Sequence, residues 1–220
     1  MRGDDSVIRS AVREFLDAAL GAEHRDDPVI ASSGGPAGNA QLTAWLGLIL
    51  LVAFAIEGAT LLRLHQLITV HLFVGTVLVP LALLKSATTT WRMARYYLGN
   101  PAYRHAGPPP LVLRLLGPAV VVTTLVLLAS GLALIADPRT RDLLFLHKAS
   151  FVLWFAAMTV HTLARFIPSL QLVTHARVKT QTIPGAAART AALLAAVTIG
   201  IVIGVIVAHV GYTRDYGRTP

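Results

Sequence analysis

The chain has 220 residues, 55% of them hydrophobic and 14% charged, with a mean hydropathy of +0.64; this excludes an ordinary soluble domain and describes an integral membrane protein. The absence of cysteine excludes disulfides, thiolate zinc sites and iron–sulfur clusters held by this chain. A net charge of +8 would suggest nucleic acid in a soluble protein, but here the bases lie in loops between apolar segments and read as topology determinants, with no nucleic-acid partner expected.

Residues 1–40 are acid-rich and lack a short apolar core, so no cleaved signal peptide is expected. Val7 to Leu20 has helical apolar spacing and reads as a short solvated amphipathic helix, with docking on a membrane surface as the alternative. Residues 28–40, rich in Pro, Gly and Ser, read as a flexible linker on the cytoplasmic side.

An all-α transmembrane bundle is expected over 41–211, with spans at about 42–62, 67–97, 111–136, 143–166 and 186–210, and a short outer tail at 212–220. The connection from Arg63 to Gln66 is tight and makes spans one and two antiparallel neighbours. No acid lies between Glu57 and Asp137, while Lys85, Arg92, Arg95, Arg104 and Arg114 cluster around the second loop. Arg165, Arg177, Lys179 and Arg189 do the same around the fourth. The excess of positive charge places both loops in the cytoplasm of a plasma-membrane protein, hence the N-terminus inside and the C-terminus outside.

Span four carries His147 and His161. Fourteen residues of helix separate them by roughly 21 Å and return them to one face within about 40°. A histidine inside a membrane helix needs a partner. Span two runs parallel to span four and offers His71 at the depth of His147, the arrangement a bis-histidine haem b site requires. Gly75 and Gly131 lie near that depth and would let a porphyrin approach the backbone, or serve plain helix packing. His161 is matched instead by Lys85, read as a haem-propionate partner, a snorkelling side chain or, when deprotonated, a ligand. Cofactor and metal candidates are thus His71, His147 and His161, with one haem b expected and a second open.

Glu57, the lone carboxylate of the spans, lies near His65 and His71, where it would relay protons, hold a quinone headgroup or form a structural pair with Arg63 or a histidine. Arg92 and Arg95, on successive turns among Trp91, Tyr96, Tyr97 and Tyr103, read as interface anchors or as a clamp for lipid phosphate, quinone or propionate. His209 is a competing ligand for the outer haem, and His24, His105 and His175 read as solvated. Gly200 and Gly204 form a close-packing surface within the chain or in a dimer.

Spans one to four resemble an actinobacterial family of membrane proteins. The likeness rests on HLFVG around His71, LLKSATTTWRMARYY from Lys85, the turn GPPPLVLRLLGP, and LHKASFVLWFAAMTVHTLARF with His147 and His161. The layout is similar to that of the small b-type cytochromes that serve formate dehydrogenases and nickel-iron hydrogenases as membrane subunits. Over residues 42–170 the resemblance implies a four-helix cytochrome-b-like core, bis-histidine haem b and electron transfer between a quinone pool and a redox partner protein. A two-haem member would carry a fourth histidine where this chain has Lys85, and span one has none. The competing expectations are a haem-free membrane scaffold or transporter accessory protein with structural histidines, and a proton-coupled carrier built on Glu57.

Overall fold

The computed structural model describes residues 2–22, 27–138, 140–178 and 183–216, and the side chains of 8–22, 27–138, 140–174 and 183–210. Among the described residues the chain is helical without strands: α1 (Arg2–Ala19), α2 (Gly35–Thr60), α3 (Leu64–Tyr97), α4 (Pro101–His105), α5 (Leu111–Ala136), α6 (Arg141–Val178) and α7 (Ala186–Tyr216). Four apolar helical stretches, 35–97, 111–136, 141–174 and 186–210, are long enough to cross a bilayer. Helices suit that setting because they satisfy every backbone polar group internally. Their outward faces agree: Leu115, Leu163, Val152, Leu153 and Ile206 are all more than half exposed, a surface tolerable in lipid and not in water.

The first stretch is folded back on itself. Arg63 leaves helical geometry (φ −141, ψ 48) after a single 3-10 turn at Leu61–Arg63, and Leu67 (φ −109, ψ 16) bends the start of α3. The two arms then pack antiparallel through Leu46, Leu50, Leu78, Leu81 and Ala82, joined by Ala196 of α7. The tight connection expected between spans one and two is the one observed.

Helix α2 packs on α3 and α6, and α5 packs on α6 and α3. These contacts set four helices in a ring, with α3 and α6 facing across one diagonal and α2 and α5 across the other. Helix α7 lies outside the ring against α3. A Cβ on Gly200 would meet the Val77 carbonyl at 2.9 Å and one on Gly204 the Phe73 ring at 2.9 Å, so both glycines serve packing within the chain.

The boundaries need correcting at both ends. Residues 35–40, expected as linker, are the first turns of α2, with Gly35, Pro36 and Gly38 buried and Gly34 supplying the left-handed turn (φ 79) before them. The segment ahead is tied down: Asp27 accepts two hydrogen bonds from Arg92, at 2.7 and 3.2 Å, and the Ser33 carbonyl accepts one from Arg189. Helix α6 runs on to Val178 and α7 to Tyr216, so much of the expected outer tail is helix. Helix α5 starts and stops where the proline turn and Asp137 predict.

Candidate functional site

Steps of seven residues, about two turns each, divide the ring interior into three layers. The layer nearer the α2–α3 turn, called outer after the expected orientation, takes Glu57 and Thr60 from α2, His71 from α3, Ser130 from α5 and His147 from α6. The middle layer holds Leu78, only 1% exposed, and Trp154, whose indole packs tilted against Phe54 at 4.5 Å and donates to Thr124 Oγ1 at 3.0 Å. The inner layer holds Lys85 and His161. Trp154 therefore closes the bundle between the two polar levels.

In the outer layer the two imidazoles are held by the same device. Thr60 Oγ1 donates to its own helix at the Glu57 carbonyl (2.6 Å) and lies 2.9 Å from His71 Nδ1. Ser130 Oγ donates to the Leu127 carbonyl (2.9 Å) and lies 3.1 Å from His147 Nδ1. Each hydroxyl has spent its proton on a carbonyl three residues back, so its oxygen accepts from the histidine. A second acceptor reinforces each: Glu57 Oε1 at 2.9 Å from His71 Nδ1, and the Leu127 carbonyl at 3.2 Å from His147 Nδ1. With Nδ1 carrying the proton, the neutral ring keeps its Nε2 lone pair for another partner. Both rings sit on the diagonal helices and are electrostatic neighbours across the bundle.

The two glycines of this layer accommodate side chains of the chain itself. A Cβ on Gly75 would stand 3.0 Å from Glu57 Oε1, and one on Gly131 would stand 3.2 Å from His147 Cε1. Gly75 thus makes room for the carboxylate and Gly131 for the imidazole, the packing alternative of the two roles expected of them. Glu57 pairs with His71; His65 is exposed, and the Glu57–Arg63 pair is not formed. Glu57 Oε2 is buried without a partner. His209 is exposed on α7, which packs on the Phe73–Val77 side of α3, away from the layer.

The inner layer is built differently. Lys85, His161 and Arg165 lie within electrostatic range of one another. But the Lys85 amine turns to α2, donating to the Thr43 carbonyl at 2.5 Å over the bare backbone of Gly47. Lys85 therefore stays inside the bundle and does not snorkel. His161 Nδ1 is buried with no partner, so nothing fixes its tautomer or ring. Imidazoles with an anchored Nδ1 are present at the outer level and absent at the inner one.

The arginine pair is also engaged. Arg92 forms the bidentate contact with Asp27, and Arg95 lies over the rings of Trp91 (5.3 Å) and Tyr103 (6.0 Å), the anchor reading of this loop. Sequence reasoning missed Thr60, Ser130 and Trp154. Thr60 and Ser130 were findable as hydroxyls at the depths of the two histidines, and Trp154 as the residue midway between His147 and His161. The expectations for the side chains of His24 and His175 fall outside the described residues.

Among the described residues no group of three or more His, Cys, Asp or Glu converges as a metal site, so an ion held by protein ligands alone has no cage there. A tetrapyrrole iron needs only two axial ligands from the chain. The outer pair fits that requirement: two imidazoles on opposed helices, Nδ1 anchored and Nε2 free. No family model, curated protein or solved structure matches the chain.

Proposed function

We propose that this protein is a five-span plasma-membrane b-type cytochrome with one haem held by His71 and His147. In this reading each arm of the 35–97 hairpin crosses the bilayer once, the N-terminus is cytoplasmic, and the haem level lies toward the outer leaflet. The carrying observation is the paired anchoring of Nδ1, which leaves both Nε2 atoms for axial ligation. Haem b, when bound, supplies a one-electron iron couple. The chain contributes orientation through Thr60 and Ser130, negative charge beside one ligand through Glu57, and exclusion of water through the Trp154 layer. Its electrons pass between a membrane quinone pool and a redox partner protein.

The test is a dithionite-reduced optical spectrum and a pyridine haemochrome assay on protein purified after expression with ample haem. The expected result is one b-type haem per chain, lost in His71→Ala and in His147→Ala and kept in His161→Ala. No b-type absorbance in the parent protein rejects the assignment.

A haem-free scaffold or transporter accessory is the second reading. It is favoured by one observation, that both outer histidines already have hydrogen-bond partners on neighbouring helices. Under it the same substitutions lower stability and no sample absorbs in the visible.

A further inference from the structure

Helix α1 carries an apolar stripe that the bundle does not cover. Ile8, Val12, Leu16 and Leu20 follow one another at four-residue spacing and are 58%, 50%, 50% and 62% exposed. Ala11, Phe15 and Ala18 lie on the adjoining face and are at least partly covered, Ala18 being buried, where α1 packs on α5 and α6. Arg9 and Arg13, both exposed, each follow a stripe residue by one position and so flank it by about 100°. Asp17 is exposed further round that same flank, the member of it farthest from the centre of the stripe, and Glu14 is exposed on the remaining face.

The position of α1 along the bundle says what covers the stripe. Ser130 meets His147 and Thr124 meets Trp154, a register that sets the first turn of α5 level with residues near 167 of α6. Gly21, just past α1, sits against Gln171, and α1 also touches α5. The helix therefore sits at the end of the ring where the apolar segments stop, the same end that presents Arg92, Arg95, Arg104 and Arg114. At that level an apolar face meets acyl chains and an arginine meets lipid phosphate.

We propose that α1 is an in-plane anchor seated in the headgroup layer of an anionic leaflet, with Ile8, Val12, Leu16 and Leu20 toward the acyl chains and Arg9 and Arg13 at the phosphates. This surface is independent of the haem assignment. It gives the N-terminal segment a fixed place on the membrane, where the sequence alone favoured a solvated helix.

The chain has no cysteine, so single nitroxide labels are introduced cleanly. Full-length Val12→Cys, Leu16→Cys and Asp17→Cys proteins are labelled and reconstituted in phosphatidylcholine vesicles with and without phosphatidylglycerol, and collisions with oxygen and with a water-soluble nickel chelate are compared. Oxygen should dominate at 12 and 16 and the chelate at 17, a reversal in sign of the depth parameter. The labels at 12 and 16 should move deeper when phosphatidylglycerol is present, and Arg9→Gln/Arg13→Gln should remove that movement. Chelate access at 12 and 16 equal to that at 17 overturns the proposal in favour of a solvated helix. Shielding from both reagents overturns it in favour of a protein occupant such as a second copy, and indifference to phosphatidylglycerol overturns the anionic-lipid assignment.

Discussion

Glu57 reaches across the α2–α3 hairpin to set one carboxylate oxygen 2.9 Å from Nδ1 of His71, over the space left by Gly75. Both side chains are largely withdrawn from the surface, at 15% and 19% exposure, so the contact is only partly screened. A carboxylate behind a ligating imidazole fixes its tautomer and raises its basicity, and its loss typically weakens metal binding by roughly 10–100-fold. With haem held by His71 as proposed, Glu57→Ala should therefore weaken its retention by about that factor, read as the rate of haem loss to an excess of apomyoglobin. Glu57→Gln, which keeps an acceptor but removes the charge, should retain haem better than Ala and raise the midpoint potential. Equal retention in all three proteins would place Glu57 outside the ligand's support.

Trp154 separates the two polar levels, and its two interactions can be removed one at a time. Trp154→Phe keeps a ring against Phe54 but deletes the Nε1–H bond to Thr124, a change of about 0.5–1.5 kcal/mol. Trp154→Ala empties the middle layer and should cost about 3–5 kcal/mol. Denaturant titration followed by far-ultraviolet circular dichroism, in one detergent throughout, gives both values. If Ala cost no more than Phe, the layer would not be the closed core described above.

The sequence was most informative where a single physical constraint dominates. Apolar length set the helices, and the proline run set the start of α5 because each proline pushes the residue before it out of helical geometry. The depth match of His71 with His147 and of Lys85 with His161 was an expectation from helical rise, and each pair falls within electrostatic range. What stayed hidden depends on which neighbour arrives. Composition marked 35–40 as linker, yet packing of Gly35, Pro36 and Gly38 extends α2 through it. Gly75 and Gly131 were recognisable as gaps, but only the fold shows that a carboxylate and an imidazole occupy them. The direction of the Lys85 amine, toward a backbone carbonyl of α2, was equally beyond any spacing rule.

Gly200 and Gly204 lie in close contact with α3, so enlarging them should separate α7 from the ring. Gly200→Leu drives a side chain into the Val77 carbonyl and Pro80, and overpacking of this kind costs about 1–3 kcal/mol. Thermal unfolding in detergent should register the loss, while the mass by light scattering stays that of the parent protein. A change of oligomeric state with stability intact would move the glycine pair to an interface between copies.

Asp27 and Arg92 join the segment after α1 to the C-terminal end of α3 by two hydrogen bonds, with the side chains 15% and 25% exposed. The bidentate geometry and partial burial distinguish this contact from a solvated surface pair. In a double-mutant cycle Asp27→Ala and Arg92→Ala should each loosen the N-terminal segment, and the double variant should lose little beyond the larger single effect. The coupling expected for contacting charged groups is about 0.5–3 kcal/mol. Raising salt from about 0.1 to 1 M shortens the Debye length from about 10 to 3 Å and should reduce this coupling without abolishing it. Limited proteolysis by a non-specific protease within residues 27–34 reads the same event, with faster cleavage in either single variant. Additive effects of the two substitutions would mean that the pair does not hold the segment, and that the buried start of α2 at Gly35 and Pro36 does so alone.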